Sequence, residues 1–180
     1  MKRTGCPGKG GFTLVEALVV VTIMGILSGI GVASLRAGIA NSRIKDAGIN
    51  VTAFMERAAN AANRLNTTLC VKVGSDNKAL KAYKGECNSS GKDEVVEEMS
   101  LETPNHFIAS SEGTCPGDVD RYSQNRVELV PKIGVSPIPA GCFIVRYAGS
   151  DRYMASVKVP TKFSMAYMLS YNSGSSWETH

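Results

Sequence analysis

Residues 11–35 read GFTLVEALVVVTIMGILSGIGVASL, and the placement of the rest of the chain follows from this stretch. From Ala17 to Leu35 no charged residue occurs. At about 1.5 Å per residue such a run spans, as an α-helix, roughly the 30 Å of a hydrocarbon core. Arg36 closes it, and Lys2, Arg3 and Lys9 stand before it with no acid among residues 1–11. Basic residues ahead of the span keep the N-terminus in the cytoplasm and send the remainder across. One such segment excludes a polytopic membrane protein. A secretory signal has an apolar stretch of about 7–15 residues followed by a small-residue cleavage site. Here the run is longer and the distinctive residues precede it. Glu16, at the edge of the apolar segment, costs a few kcal/mol in lipid and demands a compensating partner.

The stretch Gly11-Phe12-Thr13-Leu14-Val15-Glu16 resembles the class III leader junction of type IV pilins and type II secretion pseudopilins. The resemblance implies that a membrane prepilin peptidase cuts between Gly11 and Phe12 and methylates the new amino group of Phe12. It also implies that Glu16 pairs with the Phe12 amine of a neighbouring subunit as a filament grows. A carboxylate is tolerable in lipid where it meets an ammonium group. Gly25 falls where the family usually has glycine, and Gly29 and Gly31 add flexible points. Ala33 departs from the pattern, since many pilins carry proline there, and the departure touches only a helix kink at that position.

No proline occurs between Pro7 and Pro104, and residues 37–66 are rich in helix formers. Ile44, Ala47, Val51, Phe54, Ala58, Ala61 and Leu65 recur by three and four, the apolar stripe of a helix packed on its own sheet. The two halves make one helix over about 12–66, with Gly38 and Gly48 as candidate bend points. The chain thus divides into a leader at 1–11, a membrane and filament-core half-helix at 12–35, an amphipathic half at 36–66 and a β-rich head at 67–180.

After Asn66 the pattern shifts to strands and turns. Residues 68–73 and 79–83, separated by Gly74-Ser75-Asp76-Asn77, read as a hairpin. Residues 94–100 suit a charged strand or a short helix. Strands are expected at 106–109, 127–130 and 142–147, with 153–159 pairing 163–169 and a loose polar tail in which Trp177 docks. The fold class is α+β and pilin-like: a long N-terminal helix, its first half transmembrane, packed on an antiparallel sheet.

Cys6 lies in the leader, which leaves Cys70, Cys87, Cys115 and Cys142. Four cysteines permit three pairings. The shortest loops favour Cys70 with Cys87 and Cys115 with Cys142, the other connectivities remaining open. Such bridges persist in a periplasm-like or extracellular compartment. A zinc site is disfavoured, because no CxxC occurs and His106 is the one nearby histidine. No metal and no cofactor is expected.

The formal net charge is +4 from 20 basic and 16 acidic residues, too mild to argue for nucleic acid. Without the three basic residues of the leader it falls to about +1, which suits subunits packed side by side. No GxSxG, P-loop, HExxH or dinucleotide motif occurs, and an enzyme is not expected. Asp93, Glu94, Glu97 and Glu98 read as a solvated acidic face. Lys72, Lys78, Lys81 and Lys84, with Tyr83, read as a lysine-protected edge strand before a DNA-binding patch. The segment AFMERAANAANRLNTTLCVKV, a helix end running into a strand, is similar to GspH/FimT-type pseudopilins and minor pilins. That resemblance implies a subunit held in the bacterial inner membrane with its head in the periplasm. Its partners are then the peptidase, other pilin or pseudopilin subunits, an assembly platform and the bilayer. A major type IV pilin, with Cys115 and Cys142 framing a C-terminal loop, is the alternative; a non-polymerising single-span binding protein is more remote.

Overall fold

The computed structural model describes residues 11–88, 94–108, 115, 126–135, 142–148, 150–158, 167–172 and 177–179. The first element is α1, Leu14–Leu65. Its start is capped by Thr13, whose Oγ1 accepts the Glu16 N–H at 3.2 Å while its carbonyl accepts the Ala17 N–H. A threonine hydroxyl in this position satisfies one of the four amides a helix start leaves unpaired. The end is a paired turn. Asn66 takes φ 47°, its N–H reaches the Asn63 carbonyl, and the Thr67 N–H reaches that of Ala62. Asparagine tolerates this left-handed position where most side chains do not, and the two bonds absorb orphan carbonyls.

The chain forms two compact units, Met1–Ile39 and Ala40–His180. The described part of the first holds only helix and the three residues before it, and none of its side chains is buried. In the second, the helix buries Ala40, Ile44, Ala47, Gly48, Val51, Phe54, Met55, Ala58, Ala61 and Ala62. Ile44, Val51, Phe54 and Met55 are the larger side chains among these, and they share one core with residues of the strands.

Among the described residues ten strands follow, in two five-stranded antiparallel sheets. The first sheet is ordered β3-β2-β1-β5-β6, from β1 (Leu69–Val73), β2 (Ala79–Lys84), β3 (Val95–Ser100), β5 (Arg126–Val130) and β6 (Gly134–Val135). The second runs β10-β9-β8-β7-β4, from β4 (Asn105–Phe107), β7 (Cys142–Tyr147), β8 (Ser150–Lys158), β9 (Tyr167–Asn172) and β10 (Trp177–Thr179). Both sheets contribute to one core with the helix: Leu69, Val71, Leu80, Ala82 and Leu129 from the first, Phe107, Phe143, Val145, Ala155 and Val157 from the second. Phe107 and Phe143 meet edge to face at 6.3 Å. Ile108, Cys115, Cys142 and Ile144 form a second, smaller cluster. Cys142 and Ile144 alternate along β7 with the core residues Phe143 and Val145, so this cluster lies on the opposite face of that sheet.

The α+β, pilin-like class holds, with differences in detail. The head contains two sheets, because β4 pairs with β7 and not with the hairpin strands. Residues 95–100 are strand: β3 pairs with β2 along its length, with one register shift. Leu65 is exposed at the helix end, and Met55 is buried beside the expected stripe. β1 and β2 are interior strands, so their lysines do not guard an edge. The strand expected at 163–169 is β9, beginning at Tyr167 with 163–166 outside the described residues. The tail is not loose throughout, since Trp177 pairs with Tyr171 as β10 meets β9.

Candidate processing and assembly site

Gly11, Phe12 and Thr13 precede the helix without helical structure, and Phe12 is 79% exposed. The Thr13 cap fixes the boundary: the peptide joining Gly11 to Phe12 lies outside the helix, and Glu16 lies within its first turn. A carboxylate in that turn faces the positive end of the helix dipole, a modest stabilisation by itself. Gly11 has open space around it, since a Cβ built there would meet no atom within 4 Å. Thr13-x-x-Glu16 is the pattern of a capping box, so the spacing alone marks Thr13 as a site residue beside Gly11, Phe12 and Glu16.

Beyond Glu16 the helix presents Leu18, Val19, Val20, Val21, Ile23 and further apolar side chains, all exposed. Among the described residues this is the one helix long and apolar enough to cross a membrane, and none of its apolar window is buried within the protein. An apolar surface of this extent, unburied within the chain, requires lipid or other helices around it.

The four head cysteines are far along the chain from this junction and form two disulfides. Cys70 pairs with Cys87 and Cys115 with Cys142, the connectivity with the shortest loops. Among the described residues no group of three His, Cys, Asp or Glu side chains could hold a metal ion. Asp93 lies outside the described residues, while Glu94 and Glu98 are tied to neighbouring lysines. Lys81 meets Glu98 at 2.9 Å across β2 and β3, and Lys84 meets Glu94 at 3.6 Å. The hydrogen bond that Lys81 donates to the Glu98 carboxylate, together with the charge of that carboxylate, raises the Lys81 pKa. Lys72 lies over the Tyr83 ring, 5.4 Å from its centre.

The prokaryotic N-terminal methylation motif matches residues 6–32, which take in Gly11–Glu16 and more than half of the uncharged run. This motif is the signature of type IV pilins and pseudopilins, and the chain carries it ahead of an α+β, pilin-like architecture. The motif implies processing by prepilin peptidase and assembly with other pilin subunits. Together with the apolar N-terminal helix it points to membrane anchoring. No curated protein and no solved structure matches the chain at a significant level.

Proposed function

We propose that this chain is a structural subunit of a pilin-type filament, cut between Gly11 and Phe12, N-methylated on Phe12 and drawn from the inner membrane into a helical assembly. The observation that carries the reading is the unwound Gly11–Phe12 junction, capped by Thr13, directly before an unburied apolar helix with Glu16 in its first turn. Among the described residues no atom crowds Gly11, which leaves the position open to an outside reader such as the peptidase. Glu16 is the registration residue. Its carboxylate, costly in lipid alone, finds its counter-ion in the Phe12 amine of the next subunit. The domain limits follow: leader 1–11, membrane and filament-core half 12–35, amphipathic half 36–66, head 67–180. The basic leader and the two disulfides support a cytoplasmic start and a head in the oxidising periplasm.

Within this class the chain is a pseudopilin of a type II secretion system or a minor type IV pilin, of the GspH/FimT kind. Two features support that choice over a major pilin. The helix ends at Leu65 and β1 begins at Leu69, the direct helix-to-strand passage of the segment quoted above. The Cys115–Cys142 bridge does not frame the end of the head, because β7 to β10 all lie at or beyond Cys142. The role is assembly, and the chemistry at the junction belongs to the peptidase.

The test replaces Glu16 with leucine in cells that carry the matching assembly machinery. Cleavage at Gly11–Phe12 should continue while incorporation into sheared or cross-linked filaments falls at least about ten-fold, the equivalent of about 1.4 kcal/mol. Normal incorporation of Glu16→Leu would remove the registration role of Glu16, and a wild-type chain absent from every filament fraction would favour a single-span protein that does not polymerise. Wild-type chain abundant in the sheared fraction would return the major-pilin alternative.

A further inference from the structure

Cys70 alternates with Leu69 and Val71, whose side chains enter the main core, so it projects from the opposite face of the first sheet. A residue on that outward face should be wet, yet Cys70 is 1% exposed. What covers it is the chain that leaves β2. Gly85, at φ 115°, turns this segment and donates its N–H to the Thr68 carbonyl, just ahead of β1. Cys87 then bonds to Cys70 in β1. The Cys87 N–H goes one strand further, to Glu128 Oε1 in β5 at 2.7 Å. The Cys87 sulfur lies 3.6 Å from the Val127 carbonyl, and Arg126 donates to Asn88 Oδ1 at 3.4 Å. The chain returns at Glu94, whose carbonyl accepts the Lys84 N–H beside β3. Residues 85–88 therefore cross β1 and reach β5, two strands from where they began, before β3 pairs on the other side of β2.

The strand register places this arrangement in one row. Tyr83, Cys70 and Glu128 are direct cross-strand neighbours, from β2, β1 and β5. Glu128 thus stands beside the cysteine whose partner's amide it holds. β5 most needs such a tie: it follows a long connection from β4, and its outer neighbour is the two-residue β6 at the sheet edge.

We propose that the Cys70–Cys87 disulfide is a redox-set clasp that locks β5 into the first sheet through Glu128. In the reduced state the tether from β1 is absent, and the Cys87 amide reaches Glu128 only as part of an untied loop. Oxidation proceeds by exchange with a protein or small-molecule disulfide. The thiolate of one cysteine attacks that disulfide and expels one of its sulfurs as a thiol, and the second cysteine then attacks the mixed disulfide and expels the other. The oxidant leaves reduced, as a dithiol or as two thiols, carrying the two electrons and the two protons. The closed bridge shortens the reach of residues 85–88, and the Cys87 N–H then bonds a carboxylate, one of the stronger classes of protein hydrogen bond. The clasp stands open in a reducing compartment and shut in an oxidising one, independently of the filament reading.

Hydrogen exchange of the full chain in detergent micelles tests the coupling, with Cys70→Ser/Cys87→Ser and Glu128→Ala each compared with the oxidised protein. The double cysteine variant keeps the Cys115–Cys142 bridge. Its amides at 126–130 should exchange about ten-fold faster, while those of β7 and β8 stay unchanged. Glu128→Ala, with both disulfides intact, should speed exchange at 86–88 and 126–130 together. Loosening confined to 85–88 in the cysteine variant would overturn the proposal and leave a local loop tie. Should that variant unfold throughout, Glu128→Ala decides alone: unaltered exchange at 126–130 would refute the clasp.

Discussion

At the scale of single residues, function concentrates where charge or backbone conformation departs from what the surroundings favour. Glu16 is an acid at the head of an apolar helix, and Thr13 stops that helix short of the Phe12 peptide. Both belong to a six-residue signature and were readable before any coordinates, Thr13 through its spacing to Glu16. Glu128 was not readable. Its role depends on a cross-strand neighbour, Cys70, that lies far from it in sequence. Lys81 offers a check on the pairing of β2 and β3. Glu98 raises its pKa, so the pair's contribution is complete below the ordinary lysine pKa and disappears as pH climbs through the raised value. NMR titration of the Lys81 ammonium should show its pKa falling when Glu98 is replaced by glutamine. An unchanged titration would mean that the two side chains do not meet in solution.

At the scale of elements, α1 was legible because its period and lack of proline persist through Leu65. The stripe from Ile44 to Ala61 is buried as its spacing implies. Leu65 failed because the Asn66 turn ends the helix there, and a terminal residue has no sheet above it. The β1–β2 hairpin was marked by its turn, in which Asn77 takes φ 55° and the Gly74 N–H bonds to the Ala79 carbonyl. The division into two sheets was hidden, since strand alternation gives the buried face and not the partner strand. β10 was hidden as well, being three residues in a polar tail. Phe54 sits where both sheets and the helix share one core, with no exposed surface. Phe54→Ala should cost about 3–5 kcal/mol, read from thermal unfolding of the head by near-ultraviolet circular dichroism. A loss under about 1 kcal/mol would show that this core is not closed around the ring.

For the whole molecule, two kinds of surface coexist in one chain: an apolar stretch of helix with nothing buried and a head built around a core. A soluble globular protein does not leave the first kind open, and a plain membrane anchor does not need an acid at its head. The head is held by its core and by two disulfides. Removing Cys115–Cys142 by double serine substitution should lower its stability by about 2–4 kcal/mol in urea titrations, because the bridge closes a long loop onto β7. An unaltered midpoint and slope would assign that loop no part in the folded state.

The central claim is that the chain is a processed filament subunit, and its N-terminus is the place to test it. Mass spectrometry of the protein recovered from membranes of cells expressing prepilin peptidase should find a chain that begins at Phe12 and carries one added methyl group on its amine. A chain beginning at Met1 in the presence of active peptidase would contradict the account, and Glu16 would then be without its proposed partner.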